Sequence, residues 1–231
     1  MKKVLITGAT SGIGYATLKE LVNKYEVIFT YHHNEEKALE ITSKYHIKGY
    51  YLDLGNKESI EKLVDSIDNI DILINNAAIC LDNSFEDKTY MEFSKVVNVN
   101  LTGTYYLTKL LSKKINNGGN ILFISSTNGI DTYYIESIDY DASKAGVISL
   151  MHNFAKQLAP IRVNAIAPGW VDTEMNASLS DKFKKKEEEH ILLKRFASPE
   201  EISKVINFVV SDDASYINDT VIRVDGGVNN G

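Results

Sequence analysis

Seven short apolar runs punctuate the chain, with longer stretches of mixed polarity between them: Val4 to Ile6, Val27 to Phe29, Tyr50 to Leu52, Ile72 to Ile74, Ile121 to Ile124, Val163 to Ala167 and Val221 to Val224. Runs of this length without polar alternation suit strands covered on both faces, and the intervening lengths suit crossover helices. The pattern predicts an α/β fold, a doubly wound parallel sheet of seven strands with helices on both faces and right-handed connections. Helix-start signals fall where this scheme needs them: Asn34 before Glu35 and Glu36, Asn56 before Glu58, and Ser198 before Pro199, Glu200 and Glu201. No repeat, linker or low-complexity tract interrupts the 231 residues, so residues 1–231 read as a single domain. In such a sheet ligands gather beyond the carboxyl ends of the strands, which makes the residues after each apolar run the first candidates for chemistry.

Composition narrows the classes. A formal net charge of −6 with both signs scattered leaves no basic stripe for nucleic-acid phosphates or anionic lipid, so neither nucleic acid nor a membrane is an expected partner. No apolar run approaches membrane-spanning length, and Lys2-Lys3 followed by Val4 to Ile6 is too short for a secretory leader. Cys80 is the one cysteine, which removes intrachain disulfides and cysteine-rich zinc sites and suits a reducing, cytoplasmic setting. By itself Cys80 reads as a buried small hydrophobe.

Directly after the first run comes Thr7-Gly8-Ala9-Thr10-Ser11-Gly12-Ile13-Gly14, then an amphipathic stretch with Ala16, Leu18, Leu21 and Val22. Strand, glycine loop and helix in that order form a receiver for a dinucleotide pyrophosphate: glycines allow close backbone approach, and the N–H groups and the helix dipole attract the anion. Gly8, Thr10, Ser11, Gly12, Ile13 and Gly14 are therefore cofactor-binding candidates. An acid at the end of the second strand would bind the adenine ribose and repel a 2′-phosphate, but this strand runs out through Tyr31, His32 and His33. NADP(H) is favoured over NAD(H) on that ground, with Tyr31 and His32 at the adenosine end; solvated loop histidines are the plainer reading of His32 and His33. Asp53, after the third run, is placed to meet the adenine edge, or serves as a turn residue before Gly55.

Tyr140 and Lys144 stand four apart at the start of a predicted helix, on one face of it. The same spacing recurs in Tyr15 with Lys19 and Tyr105 with Lys109, so spacing alone identifies nothing. What distinguishes Tyr140 is that the fifth run ends in Ser125-Ser126 and the chain returns from there to Tyr140. A free phenol ionises near about pH 10, and an adjacent ammonium favours its anion, so Lys144 is expected to make Tyr140 more acidic. The Ser126 hydroxyl would align a substrate carbonyl with Tyr140, which exchanges the proton while hydride moves; no metal is then required.

Together with Asp53-Leu54, Asn75-Asn76-Ala77, Asn98-Val99-Asn100-Leu101 and Asn164 to Thr173, these segments make the chain resemble, from end to end, a compact short-chain dehydrogenase/reductase, most like the 3-oxoacyl-[acyl-carrier-protein] reductases. The resemblance implies a Rossmann-like fold, a homotetramer, and Ser126, Tyr140, Lys144 and Asn100 as the catalytic residues, with Asn100 holding a water linked to the lysine. It also implies that Lys144 grips the nicotinamide ribose, and that Leu54, Asn76 and Ala77 join Asp53 along the cofactor. Pro168, Gly169, Val171 and Thr173 would surround the nicotinamide, and a substrate lid would span about residues 174–195, including the charged stretch Ser178 to Lys194. That stretch reads equally as a solvated helix, and Trp170 as a pocket-wall or core aromatic.

Three departures from the family pattern stand out, and the last of them bears on substrate. Ala78 and Asp219 replace common glycines, and Pro160 runs directly into Ile161, shortening a loop that in acyl-carrier-protein reductases often carries a basic docking residue. Asp131, Glu136 and Asp139 beside Tyr133 and Tyr134 predict an acidic mouth that repels an acidic carrier. The expected substrate is a small carbonyl compound or alcohol, either a 3-oxoacyl thioester or a small ketone. The alternatives are an NAD(H)-dependent dehydrogenase of a sugar, steroid or other secondary alcohol, or a cofactor-sensing protein without turnover. A zinc alcohol dehydrogenase is disfavoured by the single cysteine.

Overall fold

The computed structural model describes residues 1–177 and 179–228. Seven strands form one sheet: β1 (Lys3–Ile6), β2 (Glu26–Tyr31), β3 (Lys48–Tyr51), β4 (Ile70–Asn75), β5 (Ile115–Ile124), β6 (Arg162–Pro168) and β7 (Val221–Val224). Their order is β3-β2-β1-β4-β5-β6-β7, with every pairing parallel. The helices are α1 (Gly12–Leu21), α2 (Glu35–Tyr45), α3 (Lys57–Ser66), α4 (Tyr90–Val97), α5 (Thr104–Leu111), α6 (Ile138–Leu158), α7 (Asp181–His190) and α8 (Pro199–Val210).

Successive strand residues feed opposite cores, as the pleat requires. Leu5, Leu73, Ile121, Phe123, Val163 and Ala165 pack with α3, α5 and α6, whereas Val4, Ile6, Ile72, Ile74, Leu122, Ile124 and Ile166 pack with α1, α2 and α8. Burial on both faces is why β1, β4 and the second half of β5 carry apolar runs instead of alternation.

The three helix starts anticipated from sequence are caps. Asn34 accepts from the Lys37 N–H, Asn56 from the Ser59 N–H, and Ser198 with Glu201 forms a capping box with Pro199 in the first turn. Two strand limits differ from the apolar runs. The third strand is Lys48–Tyr51, and Leu52 lies beyond its end, buried in the core through its apolar side chain. The fifth begins at Ile115 because its partner register jumps from Ile70↔Ile115 to Ile72↔Asn120, and the polar Asn116 to Gly119 stretch forms the irregularity. Between α4 and α5 the chain widens into a π-helical turn, Asn98–Gly103. At the Asp219 departure the residue adopts φ 58°, the left-handed conformation that a glycine takes without strain, and its carboxylate meets His152 Nδ1 at 2.6 Å. Among the described residues no helix is long and apolar enough to cross a membrane.

Leu73 lies at the centre of the sheet with no exposure. Leu73→Ala is expected to lower unfolding free energy by about 2–5 kcal/mol through lost burial and a residual cavity, read as a shift of the urea midpoint at unchanged slope.

Candidate active site

The glycine loop leaves β1 at the carboxyl edge of the sheet and enters α1. Gly8 has φ 65°, and a Cβ on Gly14 would stand 2.3 Å from the Gly8 carbonyl oxygen, so neither position accepts a side chain without moving backbone. Ser11 is the N-cap of α1 but makes no side-chain cap, and the first turn carries no acid of its own, so the N–H groups of the helix N-terminus are left to anionic partners from outside the helix. This cradle fits a dinucleotide phosphate.

The loop is braced from two neighbouring strands. The Thr7 hydroxyl accepts the N–H groups of Asn76 (2.9 Å) and Ala77 (3.0 Å), while the Asn76 amide donates to the carbonyls of Thr7 and Gly8 at 2.9 and 3.0 Å. Thr30 Oγ1 accepts from the Gly8 N–H at 3.2 Å, and the Thr30 carbonyl from the Ala9 N–H. Sequence reasoning did not single out Thr30, a polar residue inside an apolar strand whose burial is its only signal.

At the neighbouring strand ends, His32 Nε2 stands 3.7 Å from Asp53 Oδ2 and its ring lies beside those of His33 and Tyr51. Tyr31 packs edge-on against Tyr51. Asp53 also accepts the Gly55 N–H at 2.8 Å, which meets its reading as a turn residue. Leu54 is different: its side chain is buried in the core.

At the end of β5, the Ser126 side chain lies beside the Tyr140 hydroxyl and favours its ionised form. Lys144, buried one turn along α6, holds its ammonium 5.3 Å from the Tyr140 ring centroid and donates to the Ile124 carbonyl at 2.8 Å. Ser125 fastens strand to helix by donating to the Lys144 carbonyl at 3.0 Å. Asn100 sits in the π-helical turn, where its amide exchanges 2.8 Å bonds with the backbone N–H and carbonyl of Ile79 and donates to Ser143 Oγ at 3.1 Å. Its reach is thus to the loop after β4 and to α6.

The acidity of Tyr140 runs opposite to the sequence expectation. Burial pushes the phenol well above its ordinary range, Cys80 and Asp141 add to the effect, and Ser126 only partly opposes it. Burial also lowers Lys144 to about 8, because an ammonium loses hydration there. With its nitrogen on the Ile124 carbonyl, Lys144 is outweighed by burial in setting the phenol.

A cleft of about 460 Å³ opens onto Tyr140, lined among others by Cys80, Asp82, Gly169, Trp170, Met175 and Glu187. Trp170 is a wall aromatic: it stacks on Phe196 at 5.4 Å, meets Tyr134 and Phe183 edge-on, and donates to Glu187 at 3.1 Å. Cys80 corrects the reading as a buried hydrophobe. It is only partly buried, donates to Asp82 at 2.9 Å, and is held as a thiol with its pKa pushed up to about 12 by burial and by Asp82.

The anticipated acidic mouth is met in part. Asp139 is fully buried against Lys88 and Asp131 takes a bidentate bond from Arg223, whereas Glu136 stays exposed while accepting the Tyr134 hydroxyl, and Asp82 and Glu187 line the cleft. Of the lid region, Ser178 lies outside the described residues; α7 contributes Glu187 and His190 to the cleft and carries its Lys182 and Lys185 to Lys186 charges in solvent.

Pro168 ends β6, and Gly169 donates to the Val224 carbonyl at 3.1 Å. Val171 bridges to Ala197, and Thr173 packs against Gly12. Glu174, which no sequence signal pointed to, accepts the Gly12 N–H at 3.0 Å from 162 residues away. The structure thus gathers the glycine loop, the β4 end, the Tyr140 group and the 168–174 segment at one edge of the sheet.

Chain, strand order and site define a nicotinamide-dependent oxidoreductase, and the chain belongs to the short-chain dehydrogenase/reductase family. The family model described as enoyl-(acyl carrier protein) reductase matches residues 8–229. Similar relatives include the 3-oxoacyl-[acyl-carrier-protein] reductase FabG of Aquifex aeolicus, 39% identical over 98% of this chain and 97% of that one. A tropinone reductase homolog of Arabidopsis thaliana is 36% identical over 98% and 91% of the two chains. Among solved structures, a short-chain dehydrogenase from Burkholderia cenocepacia in complex with NADP superposes with a TM-score of 0.92 at 26% identity, covering 98% and 97% of the chains. BdcA in complex with NADPH shares the fold, with a TM-score of 0.93 at 24% identity over 99% and 94%. The chain is an NAD(P)-dependent enzyme acting on carbonyl or CH–OH groups.

Glu174 places a carboxylate on an N–H that a dinucleotide phosphate would also use. Glu174→Ala is expected to tighten NADPH binding about twofold to fivefold, the size of removing one like charge from a helix N-terminus. Weaker binding in a fluorescence titration would show that the carboxylate supports the site.

Proposed function

We propose that this chain reduces 3-oxoacyl thioesters or small ketones with NADP(H), with Tyr140 as proton donor. The observation that carries this reading is the Tyr140 phenol on the aromatic cleft, beside Ser126 at the end of β5, with Lys144 buried one turn along α6. The names of the curated relatives support the thioester, and Tyr134, Trp170, Met175 and Leu179 give an apolar wall suited to an acyl chain. Asp82, Glu187 and His190 on the same cleft favour a compact polar ketone as the second reading.

The dinucleotide would be held by Gly8, Thr10, Ser11, Gly12, Ile13 and Gly14 at its pyrophosphate, and by Tyr31, His32, Asp53 and Leu54 toward adenosine, Leu54 through its backbone. Asn76 and Ala77 lie along it, and Pro168, Gly169, Val171, Thr173 and Lys144 take its nicotinamide end. When bound it supplies hydride to the carbonyl carbon. Ser126 hydrogen-bonds the carbonyl oxygen and sets it beside the Tyr140 hydroxyl, whose proton completes the alcohol. A phenol that burial keeps protonated is poised as a donor, and the phenolate left behind is balanced by the Lys144 ammonium. Asn100 supports α6 from the neighbouring turn.

NADP(H) is preferred because β2 runs out through Tyr31, His32 and His33 with no acid of its own there to repel a 2′-phosphate, and the nearby Asp53 carboxylate faces His32. Residues 174–195 act as a lid over this cleft within one domain. The enzyme works as a cytoplasmic homotetramer, for which exposed Tyr90, Met91, Leu192 and Leu193 supply apolar contact area.

Tyr140→Phe is expected to abolish turnover while leaving NADPH affinity nearly unchanged; a variant that still oxidises NADPH removes Tyr140 from the role. Screening 3-oxoacyl thioesters against small ketones by NADPH oxidation separates the two substrate readings, and tighter binding of NADH than NADPH would reverse the cofactor assignment.

The lowered pKa of Lys144 sets a pH limit. Its ammonium persists below about 8 and is lost as pH rises through that value, whereas Tyr140 stays protonated. Reductive kcat should therefore fall above about pH 8, and a level profile to pH 10 would contradict a charged Lys144 in the rate-determining step.

A further inference from the structure

Lys88 and Asp139 form an ion pair of 3.0 Å whose side chains are 5% and 0% exposed, outside the Ser126–Tyr140–Lys144 set. We propose that this pair positions Tyr140 by tying the loop after β4 to the first turn of α6.

The Asp139 carboxylate has two tasks. Oδ2 takes the Lys88 ammonium, and Oδ1 accepts the backbone N–H of Tyr140 at 2.9 Å. Lys88 also donates to the Leu81 carbonyl, so its charge closes the loop on itself as well as onto α6. The same loop meets the helix start again through Asp82, which accepts the hydroxyl of Ser137, the N-cap residue of α6. The Asn83 N–H reaches the Glu136 carbonyl at 3.1 Å.

The loop's other end is held by Asn100 on Ile79, and Asn100 also bonds Ser143, whose hydroxyl donates to the Tyr140 carbonyl at 2.7 Å. Both polar groups of the Tyr140 backbone are thus engaged by side chains that lead to one loop. That loop carries Cys80 and Asp82, which line the same cleft as Tyr140.

A buried ion pair is a poor means of gaining stability, because desolvation offsets much of the attraction and apolar replacements often do as well. It is a good means of fixing direction, since Lys88 and Asp139 each satisfy several bonds in one geometry. Misplacing a reacting group by about 1 Å can cost on the order of a hundredfold in rate.

The inference rests on the role assigned to Tyr140. The test is Lys88→Met/Asp139→Leu, assayed with the carbonyl substrate the parent turns over fastest. The expected result is a melting temperature at or above the parent's, NADPH affinity and KM within about twofold, and kcat lower by about ten- to a hundredfold. Lys88→Arg, which keeps the pair, should retain kcat within a few-fold. A folded double variant with parental kcat overturns the proposal.

Should that variant fail to fold, Lys88→Gln/Asp139→Asn carries the test. It retains an acceptor for the Tyr140 N–H but loosens the loop, so kcat should fall about fivefold at unchanged KM, and an unchanged kcat overturns the proposal. Tyr140→Phe run alongside keeps the two ideas apart. Turnover in Tyr140→Phe removes the proton-donor role, whereas an inactive Tyr140→Phe with an unimpaired pair variant removes only the positioning role.

Discussion

Parallel pairing of β1 with β4, in register from Val4↔Ile72 to Ile6↔Ile74, brings Thr7 level with Asn75 and within reach of Asn76 at the carboxyl edge of the sheet. Strand order reverses there, since β2 and β3 lie to one side and β5 to β7 to the other, and the helices diverge to open a crevice. The bonds between Thr7 and Asn76 then hold the glycine loop against the β4 end. A one-residue slip in this register would exchange the two cores and break those bonds together. Cofactor cradle and core are in this sense one constraint.

Burial acts on the reactive groups in opposite directions, raising Tyr140 and lowering Lys144, because in each case it disfavours the charged form. The site is therefore built to keep a proton on the phenol and to hold a cation that is only weakly committed to its charge. Hydrogen bonds supply position where electrostatics does not. The π-helical turn at Asn98–Gly103 inserts extra backbone at the point where Asn100 must face both Ile79 and Ser143, a local cost of the kind that recurs at functional sites.

The strands and caps were legible because their causes are local: apolar runs for two-sided burial, and Asn34, Asn56 and Ser198 for unsatisfied helix N–H groups. The β5 start was hidden because Asn116 to Gly119 breaks the run that Ile115 begins. Site residues within the glycine loop were legible from order along the chain. Glu174 on Gly12 and Lys88 on Asp139 were not, since nothing in a sequence marks which distant charges meet. Composition misread the acids for the same reason: Asp139 counts as a surface charge until its lysine is found, and Asp131 until Arg223 is.

The three tyrosine–lysine pairs show where local geometry stops being informative. Lys19 lies 5.2 Å from the Tyr15 ring, Lys109 lies 5.8 Å from Tyr105, and Lys144 lies 5.3 Å from Tyr140, so helical spacing alone delivers the same contact each time. Lys19 is exposed and Tyr105 is 38% exposed, whereas Lys144 is buried and the Tyr140 hydroxyl is desolvated beside Ser126. In water such a contact changes little about either group; away from water each group's proton affinity is set by what surrounds it. The proton affinity of Tyr140 therefore follows from the strand end, the loop and the helix that enclose the pair, and those meet only through contacts far apart in sequence.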